Sequence, residues 1–294
     1  DLSASDPQVF LSAARQHYAK SYQAWHDDVS RLDAVPYVPF PSTNRPFEVK
    51  DRLKIDGHRF LSQPVMAFMA SFPARQEKLK LAVRSLLPQV DHLYVYLNGY
   101  EEAPDFLKDS RITALPAVKL EDLRDNGKIF HMAEAPQGYY LTVDDDIEYP
   151  ADYVESLVQA IERYDRKAIV GVHGVILERP FTRYFSPNRT VFSFKHALAG
   201  DQRVNLLGTG TVAFHSSCIR PLLSMFPTTG MADVWMAIAA KRLGIPMMTV
   251  RRPAAWLKPI VMQGESDPTL YDEFRENDAA QTAALKSVGS WSLT

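Results

Sequence analysis

An apolar run, Tyr139 to Val143, passes directly into three aspartates, Asp144-Asp145-Asp146. No other feature of this chain restricts its fold so strongly. A run this short and this apolar reads as a buried strand. Three carboxylates at its end must then meet water or a cation, because packed like charges repel. The surrounding pattern supports the strand. Val65 to Ser71, Leu93 to Leu97 and Ile112 to Leu115 are further short apolar runs. Between them Leu79, Ala82, Val83, Leu86 and Leu87 fall on one helical face, and Tyr153, Leu157, Ile161 and Tyr164 line another. Strands alternating with helices imply a parallel sheet covered by helices, an α/β fold. A further helix is expected over Asp122 to Ala133, although Gly127 weakens it. In the second half, strands are expected at Ala168 to Leu177, Val191 to Phe194, Thr211 to His215 and Met247 to Val250, with a helix at Asp233 to Leu243.

Composition narrows the function. The chain has 294 residues, 46% hydrophobic and 23% charged, with net charge −2. That is enough apolar material for a packed core. The basic residues are scattered, which argues against nucleic acid as the main partner. One cysteine, Cys218, permits no internal disulfide and suits a reducing compartment. It reads as an ordinary helix residue with nothing beside it to activate it. No apolar run is long enough for a membrane span. The expected location is cytoplasmic, or peripheral at the inner face of a membrane.

Residues 1–60 have a different character. Asp6 and Pro7 open an amphipathic helix whose stripe is Phe10, Ala14, Tyr18, Tyr22, Trp25, Val29 and Leu32. This helix packs on its own domain or docks a partner or another domain of a polysaccharide-synthesis system. Pro36, Pro39, Pro41 and Pro46 then make a stiff linker. Residues 61–294 form the second unit, which carries the chemistry.

In an extended chain Asp144 and Asp146 would point one way and Asp145 the other. Hard oxygen donors favour Mg²⁺ or Mn²⁺, and ligands of open α/β sheets bind at the carboxyl ends of strands. A solvated acidic turn capping the next helix is the alternative. A metal held by one or two carboxylates leaves positions for phosphate oxygens. The chain has neither a G-x-x-x-x-G-K-[ST] nor a G-x-G-x-x-G loop, which disfavours a P-loop or dinucleotide enzyme and fits a nucleotide-sugar transferase.

Seven segments carry a family resemblance. They are Ala70-Ser-Phe-Pro-Ala-Arg75, Leu97-Asn-Gly-Tyr-Glu-Glu102, Asp125-Asn-Gly-Lys128, Asp144-Asp-Asp-Ile-Glu-Tyr-Pro-Ala-Asp-Tyr-Val154, Val170-Gly-Val-His-Gly174, Val191-Phe-Ser-Phe194 and Leu207-Gly-Thr-Gly-Thr-Val212. In this order, over about residues 65–260, the chain resembles the bacterial α-N-acetylglucosaminyltransferases that build heparosan-type capsules. The resemblance implies a GT-A fold, Rossmann-like in its nucleotide-binding half and with a mixed central sheet. It implies transfer of GlcNAc from UDP-GlcNAc with retention, Mn²⁺ or Mg²⁺, and a uronic-acid-ended oligosaccharide or polysaccharide acceptor. Ser71, Pro73, Arg75, Asn98, Asp125 and Lys128 would then line the uridine pocket. Asp144, Asp145 and Asp146 would serve ribose and metal, with Asp144 and Asp146 as ligands. Many GT-A enzymes add a late histidine to the metal, whereas the last histidine here is His215.

Four further features are weighed beside these. Asp233 opens a helix, where it reads equally as an N-cap or as a carboxylate near the transferred sugar. Gly208-Thr209-Gly210 is a turn by itself; under the resemblance its backbone approaches donor or acceptor. His173 reads as a core histidine. Lys258 stands among cations that could clamp a diphosphate, beside the simpler reading of a solvated basic patch. Another UDP-sugar donor, a sugar nucleotidyltransferase and a non-catalytic sugar-binding module of a larger synthase remain as alternatives.

Overall fold

The structure is a computed structural model that describes residues 63–262, 277–291 and 293. The expected N-terminal helix and proline-rich linker lie outside the described residues.

The first half contains the four expected strands and two of the three expected helices. It runs β1 (Val65–Ser71), α1 (Gln76–Leu86), β2 (His92–Leu97), β3 (Ile112–Pro116), β4 (Tyr139–Val143), β5 (Ile147–Glu148) and α2 (Tyr153–Arg163). The second half continues with β6 (Ile169–Gly171), β7 (Gly174–Ile176), β8 (Thr190–Phe192), β9 (Gln202–Val204), β10 (Leu206–Leu207) and β11 (Thr211–His215). It ends with α3 (Ala232–Arg242), β12 (Met247–Thr249), β13 (Lys258–Pro259) and α4 (Ala279–Lys286).

Eight strands make the central sheet, in the order β3-β2-β1-β4-β11-β6-β12-β9. Strands β1 to β4 pair in parallel. Strand β11 runs against both its neighbours, and β9 runs against β12. The sheet is therefore mixed, as expected, with a parallel half and one reversed strand at its centre.

Helices cover both faces, and this explains the unbroken apolar runs. Along β1, Val65, Ala67 and Met69 join the core under α1 and α2, while Met66 and Phe68 join the core under α3. Strand β4 divides in the same way, with Tyr139, Leu141 and Val143 on one side and Tyr140 on the other.

Strand order also positions the site. From β1 the chain moves outward to β2 and β3, then returns to place β4 on the other side of β1. The carboxyl ends of β1 and β4 therefore flank a topological switch point, where open α/β sheets leave a crevice. Ser71 closes β1 on one side of it, and the aspartates follow β4 on the other.

Three local expectations are corrected. Asp122 to Ala133 contains only a 3₁₀ turn, Arg124–Ile129. Arg124 takes φ 47°, and Gly127 packs so closely that a Cβ would lie 2.8 Å from the Tyr96 ring. The strand expected over Ala168 to Leu177 breaks at Val172-His173. The Thr211 hydroxyl accepts the His173 N–H at 3.1 Å, and the chain leaves the large sheet to build a three-stranded one, β10-β7-β8. Cys218 sits in the turn after β11 rather than in a helix. Burial pushes its thiol up to about 11, which agrees with an unreactive residue.

The entry to β4 depends on a missing side chain. A Cβ on Gly138 would lie 2.2 Å from the Pro64 carbonyl oxygen, which accepts the Tyr139 N–H at 2.9 Å. Backbone cannot swing aside as a side chain can. Gly138→Ala is therefore expected to cost about 1–3 kcal/mol of stability, read as a lower urea midpoint. An unchanged midpoint would show that this end of the sheet is not tightly packed.

Candidate functional site

The three aspartates do not alternate as an extended chain would. They form a turn between β4 and β5, and each is directed by a different contact. Asp145 is buried and crosses the switch point. The Ser71 hydroxyl donates to its Oδ2 at 2.6 Å, and Arg75 Nη1 donates to its Oδ1 at 2.9 Å. The same Arg75 nitrogen reaches Asp146 Oδ2 at 2.9 Å. Asp144 turns to the other wall, where its Oδ1 pairs with the buried ammonium of Lys128. Three carboxylates thus share two cations.

Backbone and neighbouring strands hold the turn in shape. The Tyr149 hydroxyl accepts the Asp144 N–H at 2.8 Å and donates to the Gly210 carbonyl at 2.9 Å. The Ile260 N–H donates to the Asp146 carbonyl at 2.7 Å, just past the β13–β5 pairing that sets Lys258 opposite Glu148. Gly210 is required by close approach, since a Cβ there would lie 1.8 Å from Asp144 Oδ2. The loop Gly208-Thr209-Gly210 therefore does press against the aspartates. Its register follows from β11 running against β4, which sets Thr211 beside Val143. The Gly208 N–H is itself engaged, donating to the His173 carbonyl at 3.0 Å.

Electrostatics follow from burial. Burial raises the Asp145 carboxyl above its ordinary value, with Arg75 and Ser71 opposing. Burial and then the Asp144 charge push Asp146 up to about 6. Burial alone would lower Lys128, but Asp144 more than offsets this and the net shift is upward. Lys128 also feels Asp125, and Asp125 in turn acts on Asp233, so these three groups and Asp144 bracket one region.

Several residues expected to touch a nucleotide are engaged in building the walls. Asn98 ties three segments together. Its amide nitrogen donates to the Arg124 carbonyl at 3.1 Å and toward the Ser71 carbonyl at 3.4 Å, and its oxygen accepts the Leu123 N–H at 3.0 Å. Asp125 accepts the N–H groups of Gly230 at 2.5 Å and Ala232 at 2.9 Å, so it caps α3 from outside. Pro73 opens the 3₁₀ turn that ends at Arg75, and both it and Phe72 are exposed.

Asp233 is not the N-cap. It lies within the first turn of α3, behind Met231. Its Oδ2 accepts the Tyr184 hydroxyl at 2.6 Å and its Oδ1 the Val234 N–H at 2.8 Å. Burial raises its carboxyl well before Asp125 adds to the effect. Lys258 is exposed beside the aspartate turn. His173 is kept neutral, its imidazole pushed down to about 4 by burial and then by Arg252 and Arg189. His215 lies at the opposite end of β11, paired with Tyr139, so it is remote from the aspartates.

Tyr149 and Tyr184 were not legible as site residues in the sequence. Tyr149 lies inside the quoted acidic segment, but nothing marks its hydroxyl as the link to Gly210. Tyr184 has no sequence signal at all.

The donors suit a hard divalent cation. Among the described residues, Asp144 Oδ2 and Asp146 Oδ1 take no hydrogen bond, and the two carboxylates repel each other. A cation between them would relieve that repulsion. No set of three or more His, Cys, Asp or Glu side chains among the described residues is arranged to hold a metal by itself. A cation here would complete its shell with phosphate and water oxygens.

No protein-family description matches the sequence, and no curated protein matches it. Among solved structures, the chain is similar to a CMP-2-keto-3-deoxy-manno-octonic acid synthetase complexed with CTP. The identity is 12% over 68% of this chain and 93% of that one, with a TM-score of 0.41. It is also similar to S. aureus TarS 1-349 in complex with UDP-GlcNAc, at 11% identity over 76% of this chain and 71% of that one, again with a TM-score of 0.41.

Asp146 gives a stability test. Its folded carboxyl titrates near 6, against an ordinary 3.8. Between those values the folded state holds the proton more tightly than the unfolded state, so this contribution to stability is lost as pH rises through the window. Asp146→Asn removes the titration. Its urea midpoint relative to the parent is expected to climb between pH 4.5 and pH 7.5. A difference independent of pH would contradict the assigned environment.

Proposed function

We propose that this chain is a GT-A-type glycosyltransferase that moves GlcNAc from UDP-GlcNAc to a uronic-acid-ended polysaccharide, with retention at the anomeric carbon. One observation carries the reading. A charge-paired carboxylate turn stands at the switch-point crevice between β1 and β4, tied across it by Asp145 to Ser71 and Arg75. Crevices of this kind take nucleotides, and the seven ordered segments that resemble capsule α-N-acetylglucosaminyltransferases supply the choice of donor.

In this reading Arg75 and Lys128 aim the three aspartates, so that Asp144 and Asp146 can hold Mn²⁺ or Mg²⁺. The ion, when bound, supplies Lewis-acid stabilisation of a departing diphosphate. Lys258, exposed at the rim beside the turn, offers a second positive group to the same oxygens. Asn98 and Asp125 act from behind, joining the β1 and β2 ends to the 124–129 turn and that turn to α3. Gly210 lets backbone approach where a side chain would displace Asp144. Asp233 orients the sugar while the leaving phosphate accepts the acceptor's hydroxyl proton. No helix among the described residues is long and apolar enough to cross a membrane.

Turnover of UDP-GlcNAc is expected with Mn²⁺ and an acidic oligosaccharide, and is expected to stop on adding EDTA. Activity unaffected by chelation would remove the metal from Asp144 and Asp146. Release of pyrophosphate from UTP and a sugar phosphate would instead establish a nucleotidyltransferase. Gly210→Ala, by displacing Asp144, is expected to weaken metal-dependent UDP binding by about tenfold or more while the fold survives; calorimetry showing parental affinity would refute this. The product is expected to be α-linked by NMR, and a β-linkage would make Asp233 the general base.

A further inference from the structure

The segment joining β7 to β8 reaches the site from the far half of the chain, and helix α4 holds it. Asp278, at the N-cap of α4, accepts Arg183 Nε at 3.1 Å and the Phe185 N–H at 2.7 Å. One turn further on, Thr282 Oγ1 accepts the Tyr184 N–H at 2.9 Å. Three consecutive residues are thus pinned to one helix end. Between them the Tyr184 side chain is buried and points its hydroxyl at Asp233. The Arg189 guanidinium covers the Tyr184 ring at 5.3 Å and donates to its carbonyl at 3.2 Å.

Asp233 needs such a fixture. Asp125 already takes the two N–H groups at the mouth of α3, so Asp233 is left without the ordinary role of an aspartate at a helix start. The aspartates after β4 are held by cations. Among the described residues, Asp233 is held by neutral donors, chiefly the Tyr184 hydroxyl and the Val234 N–H. A neutral donor fixes the direction of a carboxylate without cancelling its charge.

We propose that Tyr184 is the positioning residue for Asp233 and that α4, through Asp278 and Thr282, is the brace that keeps Tyr184 in place. The catalytic consequence rests on the reading of Asp233 as a site carboxylate. The groups acting on Asp233 come from three elements: Asp125 from the 124–129 turn, Tyr184 from the β7–β8 segment, and the backbone of α3 itself. Asp278 and Arg189 act on Tyr184 behind it.

The test uses the full chain. Tyr184→Phe is expected to lower kcat about tenfold or more, with UDP affinity by calorimetry unchanged. The acidic limb of its pH profile should move upward, because the lost hydroxyl favoured the ionised carboxylate. Carboxyl ¹³C titration of Asp233 needs no turnover and should move upward in the same variant. Thr282→Val, a smaller change one residue removed, should shift both readouts in the same direction by less; it serves also if Tyr184→Phe does not fold. A parental Asp233 titration in Tyr184→Phe, or in Thr282→Val where that variant alone folds, overturns the positioning role even in an active enzyme. A folded parent that turns over no UDP-sugar, with the Asp233 titration still shifted in Tyr184→Phe, sinks the proposed function and leaves the brace standing.

Discussion

A carboxylate taken out of water must be repaid by charge-assisted hydrogen bonds, and Asp145 obtains them from across the sheet. Ser71 and Arg75 belong to the end of β1 and its exit, whereas Asp145 follows β4. The two strands that flank the switch point are therefore closed at their carboxyl ends by the same group. Arg75 is then committed to this face and is shared with Asp146. Asp144, left without it, turns to Lys128 on the opposite wall. Two cations face three carboxylates in a partly dry crevice. On the proposed reading, a divalent ion adds positive charge there and makes the same crevice attractive to a diphosphate.

The reversed strand brings in the second half of the chain. Because β11 runs against β4, its start lies beside the end of β4, so the Gly208-Thr209-Gly210 loop and the aspartate turn meet. Tyr149 bonds to both and makes them one unit. Asp125, at the edge of the first half, caps α3 and so sets where Asp233 stands. The candidate site is thus assembled from both halves, with one set of carboxylates paired with cations and one carboxylate fixed by neutral donors.

Much of the parallel half could be read directly. β1 and β4 are buried on both faces, and such strands write themselves as continuous apolar runs. The misreadings have local physical causes. Asp122 to Ala133 has helical spacing, but Gly127 is spent on contact with Tyr96, and Arg124 leaves the helical region. Ala168 to Leu177 is apolar apart from His173, yet Thr211 captures the His173 N–H and the chain enters another sheet. The aspartates were expected to alternate because an extended chain alternates; a turn released them from that rule.

The sequence by itself determined the α/β class, the buried central strand and the carboxylates at its end, because burial and charge act on neighbouring residues. Which cation meets which aspartate was decided only by the tertiary structure. So were the capping of α3 by Asp125 and the grip of Tyr184 on Asp233. These contacts join residues dozens of positions apart, and hydrogen-bond geometry between distant segments leaves no periodic trace along a chain.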